Sequence, residues 1–343
     1  LDTETVFGTV EVELAAAVDD LDVVELDAHQ GLRVVAVTLV EDLSYPHDGS
    51  CSLSYHHVDD RLAIALPRAL DAGQRVRLRI SYGGRGGLNN EGIRWESTGA
   101  APLITTHSQS FAARMWWPCN DRPDDKATVD LRATVPSGLT VASNGLEIDR
   151  VENSDGTVTS SWSSRYPIAT YLVVLNVSDY VYSETEYTAL DDSTTMPVAL
   201  YAYPENASSA EGSLANTNEI IAVLASYFGE YPFLEEKYGN CLTSFGGGME
   251  HQTLTSYGAS VLNLEWLNVH ETGHMWWGDF LTYESWQELW IGEGFASYCE
   301  WVWFEDQQGV DSRIGWAYQG DGLGYYLGPL YDNPIPFSST VYD

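Results

Sequence analysis

From residue 7 to about residue 203 the chain alternates short β-branched, apolar runs with clusters of Gly, Asp, Asn and Pro. The runs FGTVEVEL, RVVAVTLV, RLAIALP, RVRLRISY, ATVDLRATV, TYLVVLNVS and VALYAY have strand length, and the clusters between them carry turn chemistry. Alternation within TVEVEL and RVRLRIS predicts sheets with one wet face, a habit of antiparallel sheets. The texture changes after residue 208. Leu214, Ile220, Ile221, Leu224 and Phe228 fall near helical spacing, so 213–228 is predicted helical, as are 263–277 and 294–304. Between the first two of these, NCLTSFGGGMEHQTLTSYG predicts extended chain around a glycine turn, where Gly247 and Gly248 let backbone approach a ligand closely. The expected fold is α+β and multidomain. An N-terminal antiparallel β-sheet domain would cover 1–190 and a second, helix-bearing domain 191–343, with the boundary falling within 185–205.

With 343 residues and 44% hydrophobic positions the chain can build the cores of two or three domains, which excludes disorder throughout. Its formal charge of −34 repels phosphate backbones and anionic lipid surfaces, so nucleic acid is excluded as a partner. No run approaches the roughly 20 apolar residues of a membrane-spanning helix. Cys51, Cys119, Cys241 and Cys299 lie far apart, without the close pairs of a zinc ribbon, and leave the redox compartment open. Lys126 and Lys237 are the only lysines. So acidic and lysine-poor a surface fits an extracellular or periplasmic setting, or the cytoplasm of a salt-adapted organism. Sequons at Asn176 and Asn206 read as coincidences of a Ser-rich chain.

His270-Glu271-Thr272-Gly273-His274 is an H-E-x-x-H pattern. On a helix, residues four apart lie about 40° apart in azimuth, so both imidazoles face one point. Glu271 lies about 100° around from His270, beside the pair, where a carboxylate can take a proton from water held at a metal. The pattern alone arises by chance in roughly 1 of 100 such chains, which leaves a pair of satisfied helix histidines as the bland reading. Glu293, opening the apparent helix in WIGEGFASYCEWVW, sharpens the case as a third ligand. Two His and one Glu with a position left open is a catalytic zinc set. One Zn2+ per chain is the expected cofactor, since imidazole suits zinc and zinc brings no redox chemistry. Glu284 and Glu288 are candidates to accept the outer N–H of a zinc-bound His. The tryptophans between Trp276 and Trp303 are expected to be core.

HETGHMWWGD and WIGEGFASY, GGGMEH at 246–251, RMWWPCNDRPDDKATVDLRATVP at 114–136, SNG at 143–145 and YPIATYLVVLN at 166–176 together resemble the gluzincin zinc aminopeptidase family, typified by aminopeptidase N and leukotriene hydrolase. The resemblance covers nearly the whole chain. It implies a thermolysin-like zinc metallopeptidase domain after the β domain, acting on peptides with a free N-terminus. Zinc would sit on His270, His274 and Glu293, with Glu271 as general base. GGGMEH is similar to the family's Gly-x-Met-Glu-Asn motif, which implies that Glu250 binds the substrate's α-ammonium beside Gly247 and Gly248. Gln109 fills the slot from which the β domain holds the same amine. A carboxylate about one residue's length from the metal rewards a charged N-terminus, the physical reason for removing one residue at a time. Tyr342, in a terminal T-V-Y-D similar to the start of the family's Tyr-x-Lys-Gly motif, would donate to the oxyanion. His251, Gly292 and Asp279 stand where many members have Asn, departures that bear on specificity. The resemblance also implies that a first β strand and a helical C-terminal domain are missing, so the intact protein is expected to extend on both sides. The rival readings are a zinc endopeptidase without the amine anchor and a non-catalytic interaction or scaffold module.

Overall fold

The computed structural model describes residues 4–44, 49–87, 91–98 and 101–309, and the chain divides into two compact units, Leu1–Asp125 and Lys126–Asp343. In the first, β1 (Val6–Ala15), β2 (Leu21–Asp27), β3 (Leu32–Asp42), β4 (Cys51–Ser52), β5 (Tyr55–Val58), β6 (Arg61–Leu70) and β7 (Arg75–Gly84) build two antiparallel sheets, ordered β1-β7-β3-β4 and β2-β6-β5. β8 (Gly92–Thr98) and β9 (Ala101–His107) pair antiparallel. Alternation decides the faces. β7 buries Val76, Leu78 and Ile80 among Leu26, Leu39, Leu62 and Ile64 of the neighbouring strands. Its Arg77 and Arg79 turn outward to Glu13 and Glu11 on β1, at 2.9 and 2.7 Å. Such cross-strand charge pairs contribute about 0.2–1 kcal/mol each and favour this register over a one-residue slip.

The second unit opens with β10 (Ala127–Pro136), β11 (Thr140–Ser143), β12 (Leu146–Glu152), β13 (Thr157–Ile168) and β14 (Leu175–Ser178). They form a β10-β13-β12 antiparallel sheet and a β11-β14 antiparallel pair. A five-stranded sheet follows from β15 (Val181–Thr188), β16 (Thr195–Ala202), β17 (Tyr238–Thr243), β18 (Gly248–Met249) and β19 (Thr255–Gly258), ordered β15-β16-β17-β19-β18. Its centre, β16-β17-β19, is parallel, and both outer strands are antiparallel. β17 is buried along its whole length, which is why YGNCLT shows no alternation.

Among the described residues, four α-helices complete the unit: α1 (Ala207–Ser213), α2 (Thr217–Phe228), α3 (Glu265–Gly273) and α4 (Trp290–Gln308). The expected helix over 213–228 is thus split by residues 214–216, and the one over 263–277 is shorter at both ends. α4 begins four residues before the expected 294, because Gly292 and Gly294 weaken the helical signal in its first turn. Ile220, Ile221 and Leu224 of α2, Val269 of α3, and Cys299, Val302 and Trp303 of α4 share one core with Val198 and Tyr238 of the sheet. The fold is α+β, an antiparallel β-sheet module followed by a helix-bearing one, as the patterning implies.

Smaller expectations resolve here too. Asn176 is fully buried and donates to Ser256 Oγ at 3.1 Å, so its sequon serves packing. Each of the four cysteines is a free thiol, and only Cys51 is exposed. No helix among the described residues is long and apolar enough to cross a membrane.

Candidate functional site

The site is built where α3 and α4 touch. A Cβ on Gly273 would come within 2.9 Å of Cys299 Cβ and Sγ, so the helices meet at this distance because Gly273 has none. That approach sets His270 and His274, the latter at the C-terminal cap of α3, against Glu293 and Glu300 of α4. His270 Nε2 and His274 Nε2 lie 3.1 Å apart. Glu293 Oε2 stands 3.3 Å from the first and 3.7 Å from the second.

The outer nitrogens explain which atoms face inward. His274 Nδ1 lies 2.9 Å from the Trp277 carbonyl, which can only accept, so Nδ1 carries the proton and Nε2 presents a lone pair. His270 Nδ1 lies 2.8 Å from Glu300 Oε1 and donates to it for the same reason. Two lone pairs and a carboxylate oxygen converging at this range require a cation between them. Ligands held tetrahedrally by metal bonds of about 2.0–2.1 Å stand about 3.3 Å apart, so the three atoms present fit zinc. Both histidines are buried, whereas the Glu293 side chain keeps 41% of its surface exposed, leaving one side of the set open.

Titration follows the same logic. Burial, seconded by His270, depresses His274 to about 4, which keeps it a neutral ligand. At His270 burial also opposes charge, but hydrogen bonds to Glu293 and Glu300 outweigh it and raise the group well above the usual imidazole range. For Glu293 burial is again opposed, and the hydrogen bond from His270 draws it down to about 2.

Glu271 and Glu250 border this set. Oxygens of both lie with a ring nitrogen of His274 in a group whose members are all within 4.8 Å of one another. Burial, with the charge of Glu293, lifts Glu271 to about 8 although His270 pulls the other way. Its Oε2 is buried with no hydrogen-bond partner among the described residues. The other side of the carboxylate rests on β18, where a Cβ on Gly248 would fall 2.2 Å from Glu271 Oε1 and 2.4 Å from Cδ. Any side chain at Gly248 would therefore push the Glu271 carboxylate aside, and Gly247 holds φ +130°, a region open to glycine. Glu250 follows directly after β18, and burial and then the charges of Glu293 and Glu271 push it far above the ordinary carboxylate range. Asp279, whose amide donates to His274 O at 3.1 Å, is also buried, with neither carboxyl oxygen hydrogen-bonded among the described residues. So many acids with so little compensating charge form a site prepared to receive positive charge.

The structure thus gathers His270, His274, Glu293, Glu271, Glu250 and Gly248 into one neighbourhood of the second unit. Gln109 belongs to the first unit, after β9, with its amide Nε2 buried and unpartnered among the described residues. Tyr342 lies outside the described residues. Glu284 and Glu288 do not serve the histidines. The Glu284 amide donates to Glu288 Oε2 at 3.2 Å in an exposed turn, and Glu300 and the Trp277 carbonyl take the expected role. Glu300 has a signal that sequence reading overlooked: seven residues after Glu293, it returns to the same face of α4. Trp276, Trp286 and Trp303 are core as expected, but Trp290 is 64% exposed, at the first position of α4.

Comparison with known proteins agrees with this geometry. Endoplasmic reticulum aminopeptidase 1 of Homo sapiens is 26% identical over 325 residues, which are 88% of this chain and 34% of that protein. The chain therefore spans about a third of that curated relative's length. Among solved structures, a mutant M1 zinc metallopeptidase of Deinococcus radiodurans bound to a Tyr-Ser-Ala substrate superposes with a TM-score of 0.78 at 26% identity, covering 95% of this chain and 71% of that one. A two-domain M1 zinc metallopeptidase mutant bound to L-tryptophan gives 0.76 at 26% identity, covering 92% and 71%. Residues 1–172 match the Peptidase M1 N-terminal domain and residues 212–321 the Peptidase family M1 domain. With both of that family's domains present in order and three side chains that could hold a metal ion converging on one point, the chain belongs to the M1 peptidase family.

Proposed function

We propose that this protein is a zinc-dependent aminopeptidase that hydrolyses the N-terminal bond of peptides bearing a free α-amine. The observation that carries the reading is the convergence of His270 Nε2, His274 Nε2 and Glu293 Oε2 beside two further buried acids, Glu271 and Glu250. These three side chains would hold zinc, which when bound polarises a carbonyl and makes water acidic near neutral pH. Glu271 Oε2, free of other partners and held from behind by Gly248, takes the proton that the attacking water loses and delivers it to the leaving amine. Glu250 pairs with the substrate's α-ammonium, and that charge relieves the repulsion among the carboxylates. The backbone at Gly247 and Gly248 lines the same end of the substrate. Gln109 is our second contact to the amine, and Tyr342 our donor to the developing oxyanion. We keep the division of the chain near residue 190. An extracellular or periplasmic setting, or a salt-rich cytoplasm, stays our proposal from the acidic, lysine-poor composition.

Glu271→Gln tests the reading. Zinc content should stay at wild-type stoichiometry while kcat/KM falls roughly 10²–10⁴-fold. Wild-type-like turnover in that variant excludes Glu271 as the base. Equal cleavage of free and N-acetylated peptides would point to an endopeptidase. Full zinc occupancy without hydrolysis of any aminoacyl anilide would point to a binding module.

A further inference from the structure

The acid that would grip the substrate amine is attached to a turn that another part of the second unit holds in place. The chain turns over 251–254, directly after Glu250, closed by the Leu254 amide donating to His251 O at 2.9 Å. Within that turn Thr253 has φ +63°, a left-handed conformation that a β-branched residue rarely adopts without support from its surroundings. The support comes from the corner between β11 and β12, more than a hundred residues earlier in the chain. Asn144 Nδ2 donates to Gln252 O at 2.6 Å and to Leu172 O at 2.9 Å, while Asn144 Oδ1 accepts from the Val174 amide at 2.8 Å. The Gly145 amide donates to Thr253 Oγ1 at 2.8 Å. Asn144, Gln252, Thr253 and Lys237 are all buried.

The corner is itself fixed. Lys237 Nζ donates to Ser143 O at 2.8 Å and to Gly145 O. Gly145 holds φ +69°, and a Cβ there would fall 2.0 Å from Ser163 O. Only an amide side chain can donate twice and accept once in this arrangement. An aspartate would keep the bond from Val174 and lose both donations, including the one to the turn.

We propose that Asn144, acting through Gln252 and Thr253, is a positioning residue for Glu250 and hence for discrimination between charged and blocked N-termini, an inference that rests on the reading of Glu250 as the amine anchor. Asn144 touches no substrate. It fixes where the carboxylate two residues from Gln252 can stand, and a misplacement of about 1 Å at a binding group can cost about 100-fold in efficiency.

The test measures selectivity in the zinc-loaded full-length protein, as the ratio of kcat/KM for a free aminoacyl peptide to that of its N-acetylated form. Binding of L-tryptophan against N-acetyl-L-tryptophan by calorimetry gives a readout independent of turnover. Asn144→Asp and Thr253→Val should each lower the selectivity ratio about 10-fold or more, chiefly through KM for the free amine, while Thr253→Ser, which keeps the hydroxyl, restores it. In a Glu250→Gln background, Asn144→Asp should change the ratio no further. A merely structural role would depress both substrates alike and leave the ratio where it was. If Glu250→Gln lowers the ratio but neither Asn144→Asp nor Thr253→Val does, the positioning role is overturned while the anchor stands. If Glu250→Gln itself leaves the ratio intact, both fall. Should Asn144→Asp not fold, Thr253→Val against Thr253→Ser decides.

Discussion

Glu300 accepts the Nδ1 proton of His270 and so fixes the tautomer that turns Nε2 toward the other ligands. Removing such a partner commonly costs 10–100-fold in metal affinity, and Glu300→Leu, which leaves no acceptor, is expected to weaken zinc binding by about that factor with the three ligand side chains untouched. The pH dependence has a definite sign. Because His270 is raised well above the usual imidazole range by Glu293 and Glu300, zinc uptake near neutral pH must expel a proton. Zinc affinity should therefore fall by about tenfold per pH unit below that pKa, and calorimetry in buffers of different ionisation enthalpy should register about one proton released. A pH-independent affinity would contradict the arrangement. At this scale the clustering of His270 and His274 was legible, because a helical spacing of four aligns two imidazoles. Asn144 and Gln252 were not, since a hydrogen bond across more than a hundred residues leaves no local periodicity.

Between elements, the decisive contact is that of α3 with α4 at Gly273. Alanine is the better helix former by about 1 kcal/mol, so Gly273→Ala would stabilise an isolated helix. Here the added methyl would meet Cys299 Cβ and Sγ at 2.9 Å, and while the sulfur can rotate away the Cβ cannot. The expected outcome is a wider helix spacing that pulls Glu293 from the histidines, with zinc affinity reduced about 10-fold, measured by competition with a chelator. Unchanged affinity would show that the spacing is not what sets the ligand geometry. Amphipathic runs such as Ile220, Ile221 and Leu224 made α2 legible. The break at residues 214–216 escaped sequence reading because tertiary packing overrides propensity there, whereas most of β17 was legible as extended chain although burial on both faces erases its alternation.

Over the whole molecule, a charge of −34 leaves most acids without a basic partner, although Arg68, Arg79 and Arg165 each face one and Arg77 faces two. Raising salt from about 0.1 to 1 M shortens the screening length from roughly 10 to 3 Å, so the folded state should gain more from relief of self-repulsion than it loses from weakened surface pairs. Tm measured by scanning calorimetry should rise by a few degrees over that range. A fall in Tm would remove the argument for a salt-rich setting. The family was readable because its motifs occur in order between Arg114 and Glu293.

Around the proposed reaction centre, one of the least replaceable positions carries no functional group. The hydrogen atom on Gly248 is the surface against which the proposed general base, Glu271, leans, and any larger substituent there would displace that carboxylate first. A tolerance map of this protein would accordingly rank that silent backbone site alongside the proposed metal ligands, and a search for chemistry by side-chain type alone would pass over it.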